Sequence, residues 1–158
     1  MGCVGTIIRV PLGVVLGYAA MAIIITIGFA VAFLALGAES VYAPDSWEPS
    51  RLWLGIDIGL ALVAAYFGGV VATMIGRRRA GLLLAFIVAI AGIVMATVAA
   101  GSLEDFKDRP AVPAADMSFI DSGRWTEMPG WLPWAHAGIG FVGVLIGTSR
   151  AGRRATND

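Results

Sequence analysis

The chain has 158 residues, of which 58% are apolar and 14% are charged, and it contains 21 glycines. Soluble domains are about 45–50% apolar, glycine included, and about 25% charged, so this composition excludes an ordinary soluble globule and favours the lipid bilayer as solvent. Eleven basic residues balance eleven acidic ones and there is one cysteine. A disulfide scaffold and a nucleic-acid partner bound through net positive charge are therefore excluded as well.

Four charge-poor stretches follow one another along the chain, and each predicts a membrane-spanning helix. They are residues 11–37, 52–76, 81–101 and 133–149. A helix of about 20 residues crosses roughly 30 Å of hydrocarbon, so the first three stretches are long enough and the fourth is marginal. Trp131 and Trp134 can anchor the start of the fourth stretch at the headgroups. We therefore predict an all-α bundle of four transmembrane helices that forms one membrane domain, residues 1–158.

Basic and acidic residues occupy different connecting segments. Arg77, Arg78 and Arg79 fill the short turn between the second and third stretches, and further arginines flank the first and last stretches. The loops 38–51 and 102–132 hold most of the acids. Because Lys and Arg are enriched in cytoplasmic segments, we expect both termini in the cytoplasm and both acidic loops outside. Ten of the eleven basic residues are arginine, which is typical of a GC-rich bacterial genome and favours a multi-pass protein of the inner membrane.

The outer side also carries all five tryptophans and a long loop. Loops as long as 102–132 are usually functional or disordered, and its apolar residues favour a partly ordered cap with a short helix near 115–122. The tryptophans are Trp47, Trp53, Trp125, Trp131 and Trp134. They are interpreted either as interfacial anchors in a membrane belt or as a docking surface for a partner.

Small residues recur at helical spacing in the predicted spans, and they predict close helix packing, because lipid offers no hydrophobic drive for helices to associate. The set comprises Gly55, Gly59, Ala61 and Gly68 in the second span, Ala85, Ala89, Gly92 and Ala96 in the third, and Gly140, Gly143 and Gly147 in the fourth. The pattern does not separate contacts within one chain from contacts with other subunits or with a second copy.

Two titratable residues, Asp57 and His136, interrupt the spans, each at the outer end of a stripe of small residues. Ionisable residues in a membrane are costly and usually face the bundle interior, so we expect the two to form an intramembrane polar pair. Three interpretations stay open: a hydrogen bond that fixes helix register, a proton or cation site at the mouth of a pathway, or two residues that never meet. Neither metal-ligand spacing nor a nucleophile motif is present, so we expect no metal, no cofactor and no catalysis.

Gly68 and Gly69 precede the arginine run, residues 131–134 form an aromatic-proline entry to the fourth span, and that span is rich in glycine. This plan resembles a loose group of small, uncharacterised bacterial inner-membrane proteins with four spans. The resemblance implies a four-span fold and no particular activity. We expect a non-catalytic protein that acts by association, as an accessory or assembly subunit of a membrane complex. The alternative is a small transporter or channel component with a titratable site at Asp57 and His136.

Overall fold

The computed structural model of the protein describes residues 3–43, 46–101, 118, 120 and 126–154. Within these residues the architecture is three long helices, α1 (Cys3–Leu36), α2 (Arg51–Gly101) and α3 (Leu132–Arg154), and a 3-10 turn, η1 (Ala38–Ser40). Each long helix is long and apolar enough to cross a membrane. The predicted all-α class is confirmed, but the predicted count of four separate helices is corrected to three. The short helix expected near 115–122 lies mostly outside the described residues.

The count differs because both middle spans belong to α2. Within α2 only Arg77 leaves helical geometry, with φ 62° and ψ −174°. Gly17 of α1 nevertheless lies against both Ala72 and Leu84, which would be about 18 Å apart in a straight helix. The chain therefore reverses at Arg77. We call residues 51–76 the first arm of α2 and residues 78–101 its second arm.

Local sequence explains where the helices begin and end. Gly37 follows α1 with a φ of 77° that glycine adopts without strain, and its N–H donates to the carbonyl of Phe33 at 2.9 Å. Ser50 caps α2, because its hydroxyl accepts the N–H of Trp53 at 3.1 Å. Pro133 lies in the first turn of α3, where a missing N–H costs nothing.

The α2 hairpin is the centre of the bundle, and both α1 and α3 pack chiefly against it. Backbones approach closely because the interfaces are built from small side chains: Gly13 lies against Ala72 and Gly76, and Gly143 lies against Ala65. Large apolar side chains point mostly away from the bundle, as lipid-facing residues do. The buried core consists of Met21, Ala64, Ala65, Ala72, Ala80, Leu84, Ala85 and Val144.

Most of the described arginines gather at one end of the bundle, whereas Arg51 begins α2 at the other. The Arg9 carbonyl lies against Gly76 and Thr148 lies against Gly81, so the start of α1, the Arg77 turn and the end of α3 lie together. We call this the arginine end. The opposite end, where residues 38–50 and 126–131 connect the helices, is called the loop end.

Candidate functional site

Asp57 and His136 lie within two turns of the loop end, Asp57 on the first arm of α2 and His136 on α3. The structure brings them together: His136 Nε2 lies 2.8 Å from Asp57 Oδ2, and the side chains are 33% and 13% exposed, respectively. The Oδ2 atom is shielded from solvent and has no hydrogen-bond partner among the described residues. The contact is therefore a close pairing of two ionisable groups, in which the imidazole carries a charge only when it is protonated.

Helix register explains why these two residues meet. The first arm and α3 run in parallel, and Gly143 lies against Ala65, a difference of 78 in residue number (143 − 65). Asp57 and His136 differ by 79 (136 − 57) and so continue the same register toward the loop end. The alignment of small residues along the two helices is what places the carboxylate opposite the imidazole.

Toward the arginine end, the interface beneath the pair is closed by backbone packing. Gly69 lies against the backbone of Val144, and Gly147 lies against the backbone of Tyr66. Neither glycine has room for a Cβ atom, and Ala65, which lies against Gly143 nearer the loop end, is fully buried. Asp57 and His136 therefore lie at the loop-end side of a tightly packed interface between the first arm of α2 and α3, which we call the seam.

Beside Asp57 there is a cavity of about 310 Å³ at the loop end, which we call the cap cavity. The Phe29 and Trp53 rings, with centroids 5.5 Å apart, form part of its wall. Asp57 is the one charged residue among its lining residues, which are Phe29, Val41, Pro49, Trp53, Leu54, Asp57, Ile120, Thr126, Met128 and Leu132. The cavity is thus an apolar space whose wall includes Asp57.

The connecting segments at the loop end hold each other in place. Tyr42 pairs with Pro49 in an isolated antiparallel bridge, so this segment folds back on itself. The hydroxyl groups of Tyr42 and Thr126 are 3.1 Å apart, and the Glu127 N–H donates to the Trp47 carbonyl at 3.0 Å. The segment before α2 is therefore tied to the segment before α3. The cap predicted over 102–132 lies mostly outside the described residues, and no sequence pattern predicted these links, since a lone tyrosine and threonine in loops carry no pairing signal. We call the two linked segments, residues 38–43 with 46–50 and residues 126–131, the cap.

Of the seven glycines in the predicted packing set, five lie against another helix of the same chain, and two do not. Among the described residues, Gly55 and Gly59 have no heavy atom beyond their own helix backbone within 4 Å of the position where a Cβ would lie. Both glycines are exposed on the first arm near the loop end. The remaining members are buried or partly buried, and they are Ala61, Gly68, Ala85, Ala89, Gly92, Ala96, Gly140, Gly143 and Gly147.

The predicted interfacial anchors divide into two groups. Trp131 and Trp134 are 53% and 48% exposed at the start of α3, as a headgroup anchor requires. Trp47 and Trp53 are partly buried, because one contributes to the cap and the other to the cavity wall. Arg77, Arg78 and Arg79 are exposed at the arginine end, whereas Trp125 lies outside the described residues.

A polar cluster near the arginine end was not predicted. The hydroxyls of Thr73 and Thr148 both point at Gly81, where a Cβ would otherwise lie. Both threonines are buried, and neither hydroxyl has a hydrogen-bond partner among the described residues. The Arg150 guanidinium lies 6.0 Å from the centre of the Tyr66 ring nearby.

Among the described residues, no three His, Cys, Asp or Glu side chains come close enough together to hold a metal ion. Comparison with known proteins finds no matching family model, no matching curated protein and no matching solved structure. The function is therefore argued from the geometry of this chain.

Proposed function

We propose that this chain is a non-catalytic integral protein of the bacterial inner membrane that acts by association, as an accessory or assembly subunit of a membrane complex. The open face at Gly55 and Gly59 carries this proposal. Gly13, Gly17 and Gly143 each meet a neighbouring helix, whereas Gly55 and Gly59 meet none and lie one turn apart on the same face. Gly138, an open glycine on α3, has no glycine one turn away. Small residues permit close helix approach in lipid, so an uncovered pair is suited to a helix from outside the chain.

The surroundings of the open face favour a different polypeptide over a second copy. Exposed Leu52, Leu62 and Val63 flank the two glycines and supply contacts for an incoming helix. The two loop segments, 38–51 and 102–132, hold nine acids against four bases. Two copies packed side by side would bring these acidic segments together, whereas a partner with basic loops would be attracted to them.

Co-purification tests the association. The chain is extracted in a mild detergent, and its partners are identified by mass spectrometry for the native protein, Gly59→Leu and Gly138→Leu. Gly138 is the control because it is also exposed with open space around it, but lies on α3. We expect a stoichiometric partner that Gly59→Leu loses and Gly138→Leu keeps. Recovery of the native chain alone, or an equal yield of partner with both variants, would contradict the proposal.

The proposed orientation places the arginine end in the cytoplasm, because Arg9, Arg150 and the residues 77–79 lie there. In a Cys3→Ser background, a membrane-impermeant maleimide applied to intact cells should label Glu48→Cys and leave Arg78→Cys unlabelled. Labelling of Arg78→Cys under these conditions would reverse the topology.

The contact between Asp57 and His136 favours a second candidate function, a component of a small transporter or channel. The tight backbone packing beneath the pair argues against a continuous path through this interface. Proton flux in liposomes that contain only this chain, abolished by Asp57→Asn, would support the second candidate against the first.

A further inference from the structure

We infer that the cap cavity binds a small apolar amine, whose protonated nitrogen pairs with Asp57 and whose hydrocarbon body occupies the apolar space. The inference does not depend on the proposed association, because the open face and the cavity wall share no residue.

The lining of the cavity indicates that the body of the ligand is apolar. Eight of the ten lining residues are apolar, and the exceptions are Asp57 and Thr126. The Thr126 hydroxyl lies 3.1 Å from the hydroxyl of Tyr42, so it is engaged within the cap. A polar ligand body would lose hydrogen bonds to water without replacing them here, which excludes sugars and nucleotides as a class.

The Asp57 carboxylate indicates that the ligand carries a positive charge. Asp57 is largely buried, and its one described ionic contact is with His136 on α3. An anion in the cavity would be repelled by the carboxylate, whereas a cation would neutralise it in surroundings of low dielectric. Trp53 precedes Asp57 by four residues and lines the same cavity, so an ammonium group next to the carboxylate also lies near an aromatic ring that favours cations.

The volume sets the size of the ligand. A volume of about 310 Å³ lies at the lower end of the range for small-molecule sites, roughly 300–1,000 Å³. A single aromatic ring with a short aminoalkyl chain is a ligand of this size class.

Equilibrium dialysis of the full chain in zwitterionic nanodiscs tests the inference with three probes of similar size. Phenethylamine is cationic, phenethyl alcohol is neutral and phenylacetate is anionic, and empty nanodiscs measure partition into lipid. We expect saturable binding of phenethylamine near one molecule per chain. Phenethyl alcohol should bind about thirtyfold more weakly, equivalent to about 2 kcal/mol at 1.4 kcal/mol per tenfold change, and phenylacetate should not bind.

Variants then locate the site. Asp57→Asn should reduce phenethylamine binding to the level of the alcohol, whereas Glu48→Gln, which removes an exposed carboxylate outside the cavity, should leave it unchanged. Leu54→Phe, which fills the cavity and keeps the charge, should weaken the binding of both amine and alcohol. Equal binding of amine and alcohol to the native chain would overturn the inference without any variant, as would uptake no greater than that of empty nanodiscs.

Discussion

Substitution of Gly147 by alanine tests whether the seam between the first arm of α2 and α3 is as tightly closed as its backbone contacts indicate. A Cβ at Gly147 would collide with the carbonyl group of Tyr66 and with the amide nitrogen of Val70. These are backbone atoms, which cannot move aside as the end of a flexible side chain can. Overpacking costs about 1–3 kcal/mol, and we take about 3 kcal/mol because two helices would have to separate.

Gly138→Ala is the matched control for Gly147→Ala, because Gly138 lies on the same helix and has open space at its Cβ position. Alanine is favoured over glycine in a helix interior by about 1 kcal/mol, and this gain applies to both variants. We therefore expect Gly147→Ala to lose about 2 kcal/mol and Gly138→Ala to gain about 1 kcal/mol, a difference of about 3 kcal/mol or about a hundredfold in the unfolding equilibrium.

The assay is reversible unfolding in mixed micelles with increasing dodecyl sulfate, followed by the loss of tertiary structure in near-ultraviolet circular dichroism. If Gly147→Ala and Gly138→Ala unfold at the same detergent fraction, the two helices are not held in backbone contact. The seam would then not seal the space beneath Asp57.

Three further predictions use the same unfolding assay. A double-mutant cycle with Asp57→Asn and His136→Gln should yield a coupling energy of about 1 kcal/mol, and a value near zero would mean that their contact contributes nothing to stability. Arg77→Gly should stabilise the chain by about 1–2 kcal/mol because it relieves the positive φ, whereas Arg78→Gly, which also removes one exposed arginine, should destabilise it by about 1 kcal/mol. Thr73→Val should be stabilising by about 1 kcal/mol because it removes a buried hydroxyl that lacks a partner, and a clear loss of stability would indicate an unseen hydrogen bond.

The positions of the apolar spans could be predicted because lipid solvation acts on composition over about 20 residues and not on detail. The predicted spans 52–76 and 81–101 both fall inside α2. The short turn predicted between them is in fact a single residue, since helical geometry resumes directly after Arg77. A hydropathy pattern shows where charged residues interrupt the apolar stretches, but it does not show how many residues the turn between two helices needs.

The residue at which the chain reverses could not be predicted by the usual rules either. Glycine is the expected residue at a positive φ, and Gly76 is adjacent, yet Arg77 adopts it. The structure gives a reason: Gly76 lies against the Arg9 carbonyl and Ala80, where a Cβ has no room. Close packing between helices thus requires the glycine at 76, and the next residue along the chain is left to make the turn.

In the candidate site, too, the feature that depends on helical spacing could be predicted and the feature that depends on three-dimensional contacts could not. The facing stripes of small residues indicated that Asp57 and His136 would lie at similar depth, because a common register is a property of helical spacing. The cap cavity had no such signal, since its wall combines Phe29, Trp53 and Leu132 with residues of both connecting segments.

The position of Asp57 between the seam and the cavity constrains what the site can do. On one side, Gly69 and Gly147 close the helix interface with backbone contacts; on the other, the cap cavity leaves space beside the same carboxylate. A charge in membrane surroundings needs a compensating partner, and His136 supplies one only when it is protonated. In the inferred complex, an ammonium group in the cavity provides that compensation, because the seam beneath has no room for an ion. The same packing that holds Asp57 and His136 in register therefore leaves the loop end as the side from which a ligand can reach Asp57.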